Sequence, residues 1–196
     1  MKALLYCTKA KPRLIKGKHE FYTTDVRKDF ITPFQFENTL NGFIVAECDI
    51  DKVEEIKPFF CENVEKFEKQ TCLTMKQIYK YLEIGINELL FNLPTRTKPY
   101  GYALHLSNVK AFDKPLELSQ VEHRGNVEIE KAPQNMRYCY KRKQWNYEYL
   151  AYDTEELSVL ISIKPEWLCK ILNGEKTIEV RKQILNCLKE MVVDDK

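Results

Sequence analysis

The run Leu157–Lys182, LSVLISIKPEWLCKILNGEKTIEVRK, constrains the fold more than any other part of the chain, because its periodicity changes twice within a short span. Leu160, Ile161 and Ile163 form an apolar, β-branched run that stops at Lys164-Pro165. Proline suits the first turn of a helix, where its missing N–H would have no partner. Trp167, Leu168, Ile171 and Leu172 then recur at helical spacing and predict one buried face. Asn173-Gly174 is a helix stop, since glycine accepts the left-handed backbone just past a last turn. After it the period becomes two: Ile178 and Val180 point one way, and Thr177, Glu179 and Arg181 the other. A strand, a short helix and a second strand with a charged face are therefore expected in succession.

The 196 residues can bury a substantial core, and the 44% hydrophobic content with a mean hydropathy of −0.46 suits a soluble globular protein. No apolar run approaches the ~18 residues of a membrane span, and the first residues lack a signal-peptide pattern, so no membrane partner is expected. Seven cysteines are scattered without a C-x-x-C pair, and the three histidines stand apart from them. That spacing argues against a disulfide framework and a structural zinc site, and for a reducing cytoplasm; no metal or cofactor is expected.

The net charge of +2 conceals segregation. Residues 1–18 carry six basic side chains and no acidic ones, and residues 124–143 carry six basic and two acidic, whereas residues 47–68 carry eight acidic and three basic. Two basic segments meeting in space would form a patch suited to phosphates. Arg13, Arg137, Lys141 and Arg142 are the candidate contacts to a nucleic-acid backbone.

In chain order, residues 1–9 read as a strand. Residues 13–40 read as an excursion with little regular structure, and Asn41-Gly42 as a turn. A strand is expected at 43–50 and a helix at 74–81, where Thr74 and Gln77 have capping-box spacing. Residues 85–99 read as a loop and 101–109 as a strand, with Phe112–Pro115 as a turn. The segment KAPQNMRYCYKRK at 131–143 reads as a further strand, and 183–191 as an amphipathic helix. His105 has no nucleophile paired with it in sequence and reads as a packing or surface residue.

The run Gly174-Glu175-Lys176-Thr177-Ile178-Glu179-Val180-Arg181 resembles the G-x-K-x-x-E-x-R signature of ASCH domains, in the PUA-like superfamily. Ser162-Ile163-Lys164-Pro165 is similar to the strand that opens those domains, and Tyr6-Cys7-Thr8-Lys9 to the strand that follows. Here the opening unit comes last, so the chain resembles a circularly permuted ASCH domain of the kind found in small bacteriophage proteins. The resemblance implies an α+β fold: a PUA-like pseudobarrel with a few flanking helices, in a single domain over 1–196. Within it, 1–150 would be the body, 157–182 the opening unit that completes it beside residues 2–9, and 183–196 a C-terminal helix and tail.

The resemblance further implies a cleft that binds nucleic acid or a plain or modified nucleotide, RNA in particular. Lys9, Lys164, Lys176, Glu179, Arg181, Gln134 and Asn135 are its candidate contacts. Lysine and arginine suit phosphate or carbonyl oxygens, a glutamate suits a base amino group, and amides discriminate among bases. Alternatively, Glu179 and Arg181 form an ion pair that closes a sheet end. Acetylcytidine amidohydrolases among ASCH relatives use a lysine, a threonine and a distant glutamate. Lys176 matches the lysine, but Glu179 stands where the threonine would fall, which leaves Lys176 and Glu179 as the only candidate catalytic residues. A third reading is a phage accessory or counter-defence protein that binds a host protein in a bacterial cytoplasm.

Overall fold

The computed structural model describes residues 1–26, 32–57, 63–85, 99–123, 127–141 and 157–192, with backbone alone at His123, Val127, Glu128 and Lys141. The fold is α+β, with mostly antiparallel strand pairing and few helices. The chain forms two compact units, residues 1–49 with 108–173, and residues 50–107 with 174–196. Two long strands, β4 (Ile44–Ile56) and β5 (Gly101–Leu116), contribute residues to both.

In the first unit, β1 (Lys2–Cys7) lies between β4 and β9 (Ser158–Ile163). It pairs antiparallel with Ile44–Asp49, and parallel with β9 in register from Lys2↔Ser158 to Cys7↔Ile163. All six residues of β9 are buried, which explains why its sequence is a continuous apolar run rather than an alternating one. Beyond β9 come β8 (Met136–Lys141) and the short strands β6 (Val121–His123) and β7 (Val127–Glu128), all antiparallel. One face of this sheet packs Leu4, Tyr6, Ile44, Val121, Ile129, Cys139 and Leu160 into a core, with Phe112, Leu116, Leu118 and Ala132 against it.

The remaining elements of this unit are a hairpin, β2 (Arg13–Lys16) with β3 (Phe21–Thr24), and two helices, α1 (Pro33–Glu37) and α4 (Pro165–Leu172). Pro165, Leu168 and Ile171 are the buried stripe of α4, which contacts β1, β2 and β3. Asn173 at its end acts as a length of strand: its amide donates to the Phe21 carbonyl (2.8 Å) and accepts from the Phe21 N–H (3.0 Å).

The second unit is built on β5 flanked by β10 (Ile178–Arg181), paired antiparallel as Ile178↔His105 through Arg181↔Tyr102. Helices α2 (Val64–Thr71) and α3 (Met75–Leu82) supply Phe67, Ile78 and Leu82 to a core that includes Ile56, Ile84, Tyr100, Ala103, Ile178 and Val180. Gly101 has no room for a side chain: a Cβ there would lie 2.8 Å from the Arg181 carbonyl and 2.5 Å from Leu82. A one-turn helix, α5 (Asn186–Lys189), buries Leu188, and Val192 bridges to Val53.

Within 157–182 the strand beside β1 is β9, whereas β10 pairs with β5. Several expectations are corrected. Residues 13–40 hold a hairpin and a helix rather than an irregular excursion, because elements of four or five residues are too short to show a period. The Phe112–Pro115 turn is part of β5, and β4 runs six residues past Ile50, with Val53 and Ile56 buried among its charges. The 183–191 helix shrinks to four residues. The loop expected at 85–99 lies almost wholly outside the described residues, as does Arg142.

Candidate functional site

The charged strand face lies in the second unit and is buried. Lys176 is 2% exposed at its side chain, and Glu179 and Arg181 are 10% exposed. The Lys176 ammonium donates to the carbonyls of Thr71 (2.7 Å) and Ile178 (2.6 Å) and lies 3.4 Å from Glu179 Oε2. Arg181 Nη2 meets the other Glu179 oxygen at 3.0 Å. Thr71 ends α2, so its carbonyl has no partner further along the helix, and a cation there also meets the negative end of the helix dipole. Burial pulls the Lys176 pKa down, while Glu179 acts in the opposite sense. The three residues of the ASCH-like signature are thus brought together as one buried ionic cluster, with the ammonium engaged on two carbonyls.

The other candidates fall in the first unit, and strand register collects four of them. Because β1 and β9 are parallel and in register, Lys9 and Lys164 leave the sheet at the same end, where the Thr8 N–H bonds the Ile163 carbonyl (2.9 Å). Because β8 is antiparallel to β9, its start lies at that end too, and the Ser162 N–H bonds the Asn135 carbonyl (3.1 Å). Gln134 precedes it, and the Ser162 hydroxyl donates to Pro133 (2.6 Å), fixing this approach. Lys9, Lys164 and Gln134 are exposed and Asn135 is half-buried. The first turn of α4 follows Lys164 directly; Pro165 carries no N–H, and the Trp167 and Leu168 N–H groups bond the Lys164 carbonyl (3.1 and 3.0 Å).

Asn41 organises this end, a role that its reading as a turn residue does not capture. Its amide nitrogen donates to the carbonyls of Thr8 (3.3 Å), Ala10 (2.8 Å) and Pro12 (3.1 Å), and its oxygen accepts from the Leu14 N–H (2.8 Å). The basic loop carrying Lys9, Lys11 and Arg13 is thereby wrapped around one side chain. Gly42, at φ +95°, follows, and the stem of Lys9 lies over it: a Cβ there would sit 3.2 Å from Lys9 Cε. The Thr8 hydroxyl is buried at the same end, with no hydrogen-bond partner among the described residues. Asn-Gly was the one sequence signal that could have located this clip.

Arg137 is exposed on β8, aligned with Leu160. Lys141 ends that strand, four residues further from the sheet end at which Lys9 and Lys164 emerge. His105 pairs with Glu54 (2.8 Å), which also meets Lys52, and these partners hold the Glu54 carboxyl below its usual range against the opposing effect of burial. Among the described residues no group of histidine, cysteine and carboxylate side chains could hold a metal ion, and no helix is long and apolar enough to cross a membrane.

Comparison with known proteins gives no match to a family model, a curated protein or a solved structure.

Proposed function

We propose that this protein binds single-stranded nucleic acid, RNA in particular, or a nucleotide, at the sheet end of the first unit. The observation that carries the reading is the register of β1, β9 and β8. It delivers Lys9 and Lys164 as exposed cations, with Gln134 and Asn135 beside them, while Asn41 holds the basic loop in place. Two ammonium groups and neighbouring amides suit a phosphate with a base alongside. The fold proposed with it is a PUA-like pseudobarrel of the ASCH kind, in circularly permuted order. Two observations support it: the α+β class, and the pairing of β9 with β1 along its whole length.

In this reading the Lys176, Glu179 and Arg181 cluster frames the second unit and does not touch ligand. An ammonium that donates to two carbonyls has no lone pair to offer an acetyl carbonyl, so amidohydrolase chemistry gains no support from it.

Fluorescence anisotropy with a labelled single-stranded RNA, repeated over a salt series, tests the proposal. Each phosphate contact contributes about −0.7 to the slope of log K against log salt for single strands. The double variant Lys9→Glu, Lys164→Glu should bind more weakly and flatten that slope by one to two contacts' worth. Unchanged affinity and slope in a folded variant would remove the sheet end from consideration.

A further inference from the structure

Helix α1 buries none of its residues, yet it is fastened at both ends. At its start Thr32 and Gln35 cap each other: the Gln35 N–H donates to Thr32 Oγ1 (3.3 Å), and the Thr32 N–H to Gln35 Oε1 (3.0 Å). At its end the Asn38 amide donates to the Phe34 carbonyl (2.7 Å), and the Thr39 hydroxyl to the Gln35 carbonyl (2.7 Å). Five residues do not make a helix that persists alone in water, so these local bonds are what define it. What it holds outward is Phe34, 57% exposed, and Phe36, 58% exposed. Both rings on this mount are more than half exposed.

The mount is attached to the basic strand. The Lys16 N–H donates to the Asn38 carbonyl (3.1 Å), the Leu40 N–H to the Leu14 carbonyl (2.9 Å), and Thr39 bridges Ile15. Arg13 and Lys16 are the ends of β2, with Lys9 and Lys11 before it and Lys18 after it. Lys16 also lies near Asp113, at 3.9 Å, an acidic contact along this ribbon. Two residues apart on a helix are about 200° apart around its axis, so the two rings flank α1 instead of forming one stripe. A protein partner that accepts a helix in an apolar groove needs one shared face. Separate rings beside a cationic ribbon suit separate bases.

We propose that Phe34 and Phe36 are stacking positions for bases of a single-stranded nucleic acid whose phosphates follow the basic residues from Lys9 to Lys18. This rests on the function proposed above and adds how bases are engaged. Stacking tolerates any base, because every base offers a π face, whereas the phosphate ribbon reads only charge.

The test compares the full chain's affinity for a labelled oligothymidylate with its affinity for an abasic oligomer of the same length and charge. The wild type should prefer the base-bearing strand. Phe34→Ala and Phe36→Ala should each reduce that preference by about tenfold, with abasic affinity, salt slope and melting temperature unchanged. Phe34→Leu, Phe36→Leu keeps the apolar bulk and should lose the preference as well. Equal wild-type affinity for both oligomers, or a preference that survives in the alanine variants, would overturn the stacking assignment and leave phosphate binding intact. Binding to neither oligomer would overturn the stacking assignment, and failure to bind the labelled RNA as well would defeat the functional reading with it. Sedimentation showing self-association abolished by the alanine variants would reassign the rings to a protein interface.

Discussion

Lys176 carries a charge into a place where its side chain is 2% exposed, and it is tolerated there because two backbone carbonyls and the Glu179 carboxylate supply it with oxygens. Removing Lys176 takes the ammonium donor from the Thr71 and Ile178 carbonyls and leaves Glu179 with Arg181 as its remaining ion-pair partner, which costs more than the intact cluster contributes. Lys176→Met should therefore lower unfolding stability by about 3 kcal/mol in urea denaturation. A stability change under about 0.5 kcal/mol, the range of surface substitutions, would mean that the cluster is not part of the frame. Cys7 is the opposite case, a neutral group kept neutral: it is fully buried, and burial pushes its thiol up to about 12 from an ordinary value of 9.0. The fold therefore holds this proton more tightly than the unfolded chain does. Its contribution is complete below pH 9 and declines as pH rises toward 12. Between pH 9 and 11 the urea midpoint should fall less steeply in Cys7→Ala than in the wild type, and parallel declines would contradict the assignment.

At the scale of elements, two asparagine side chains do the work of secondary structure. Asn173 completes the edge of β3 from the end of α4, and Asn41 satisfies four backbone groups between Thr8 and Leu14. Chain that turns this tightly cannot form a ladder with itself, so its carbonyls need a donor from elsewhere. Asn41→Ala should cost about 2 kcal/mol and speed exchange of the Leu14 amide, as expected when a backbone donor loses its partner. Asn41→Asp keeps the acceptor for Leu14 and loses the three donations, so it should protect that amide while still lowering stability. If Leu14 exchanges equally fast in all three proteins, the loop is held by something other than Asn41. The same contacts place Lys9, Lys11 and Arg13, and Asn41→Ala should therefore also weaken the proposed RNA binding without any change of charge.

At the scale of the whole molecule, the C-terminal segment supplies both units. It gives the first unit β9, paired on both sides and buried throughout, and it gives the second unit β10 and two core residues, Ile178 and Val180. Deleting residues 157–196 would expose the flanks of β1 and β8 and uncover the apolar side of β5. The truncated chain should lack a cooperative thermal transition by circular dichroism. A transition at the wild-type temperature would show that this segment is dispensable to both units.

The sequence by itself determined the local elements wherever a period had room to repeat or a cap was chemically marked. The strand, helix, stop and strand of 157–182 appear as read, and so does the capping box of α3, because apolar spacing, Pro165, Gly174, Thr74 and Gln77 act over a few residues. The polar face of β10 was legible too, as alternation; that this face would be buried was not, since a charge pattern does not tell what packs over it. Tertiary structure decided which strands became neighbours. It set β9 beside β1, joined β10 to β5, and sent the ASCH-like cluster and the Lys9, Lys164, Gln134 and Asn135 group into different units. Pairing depends on contacts between residues 156 positions apart for β9 with β1 and 73 to 79 apart for β10 with β5, and no local propensity encodes them.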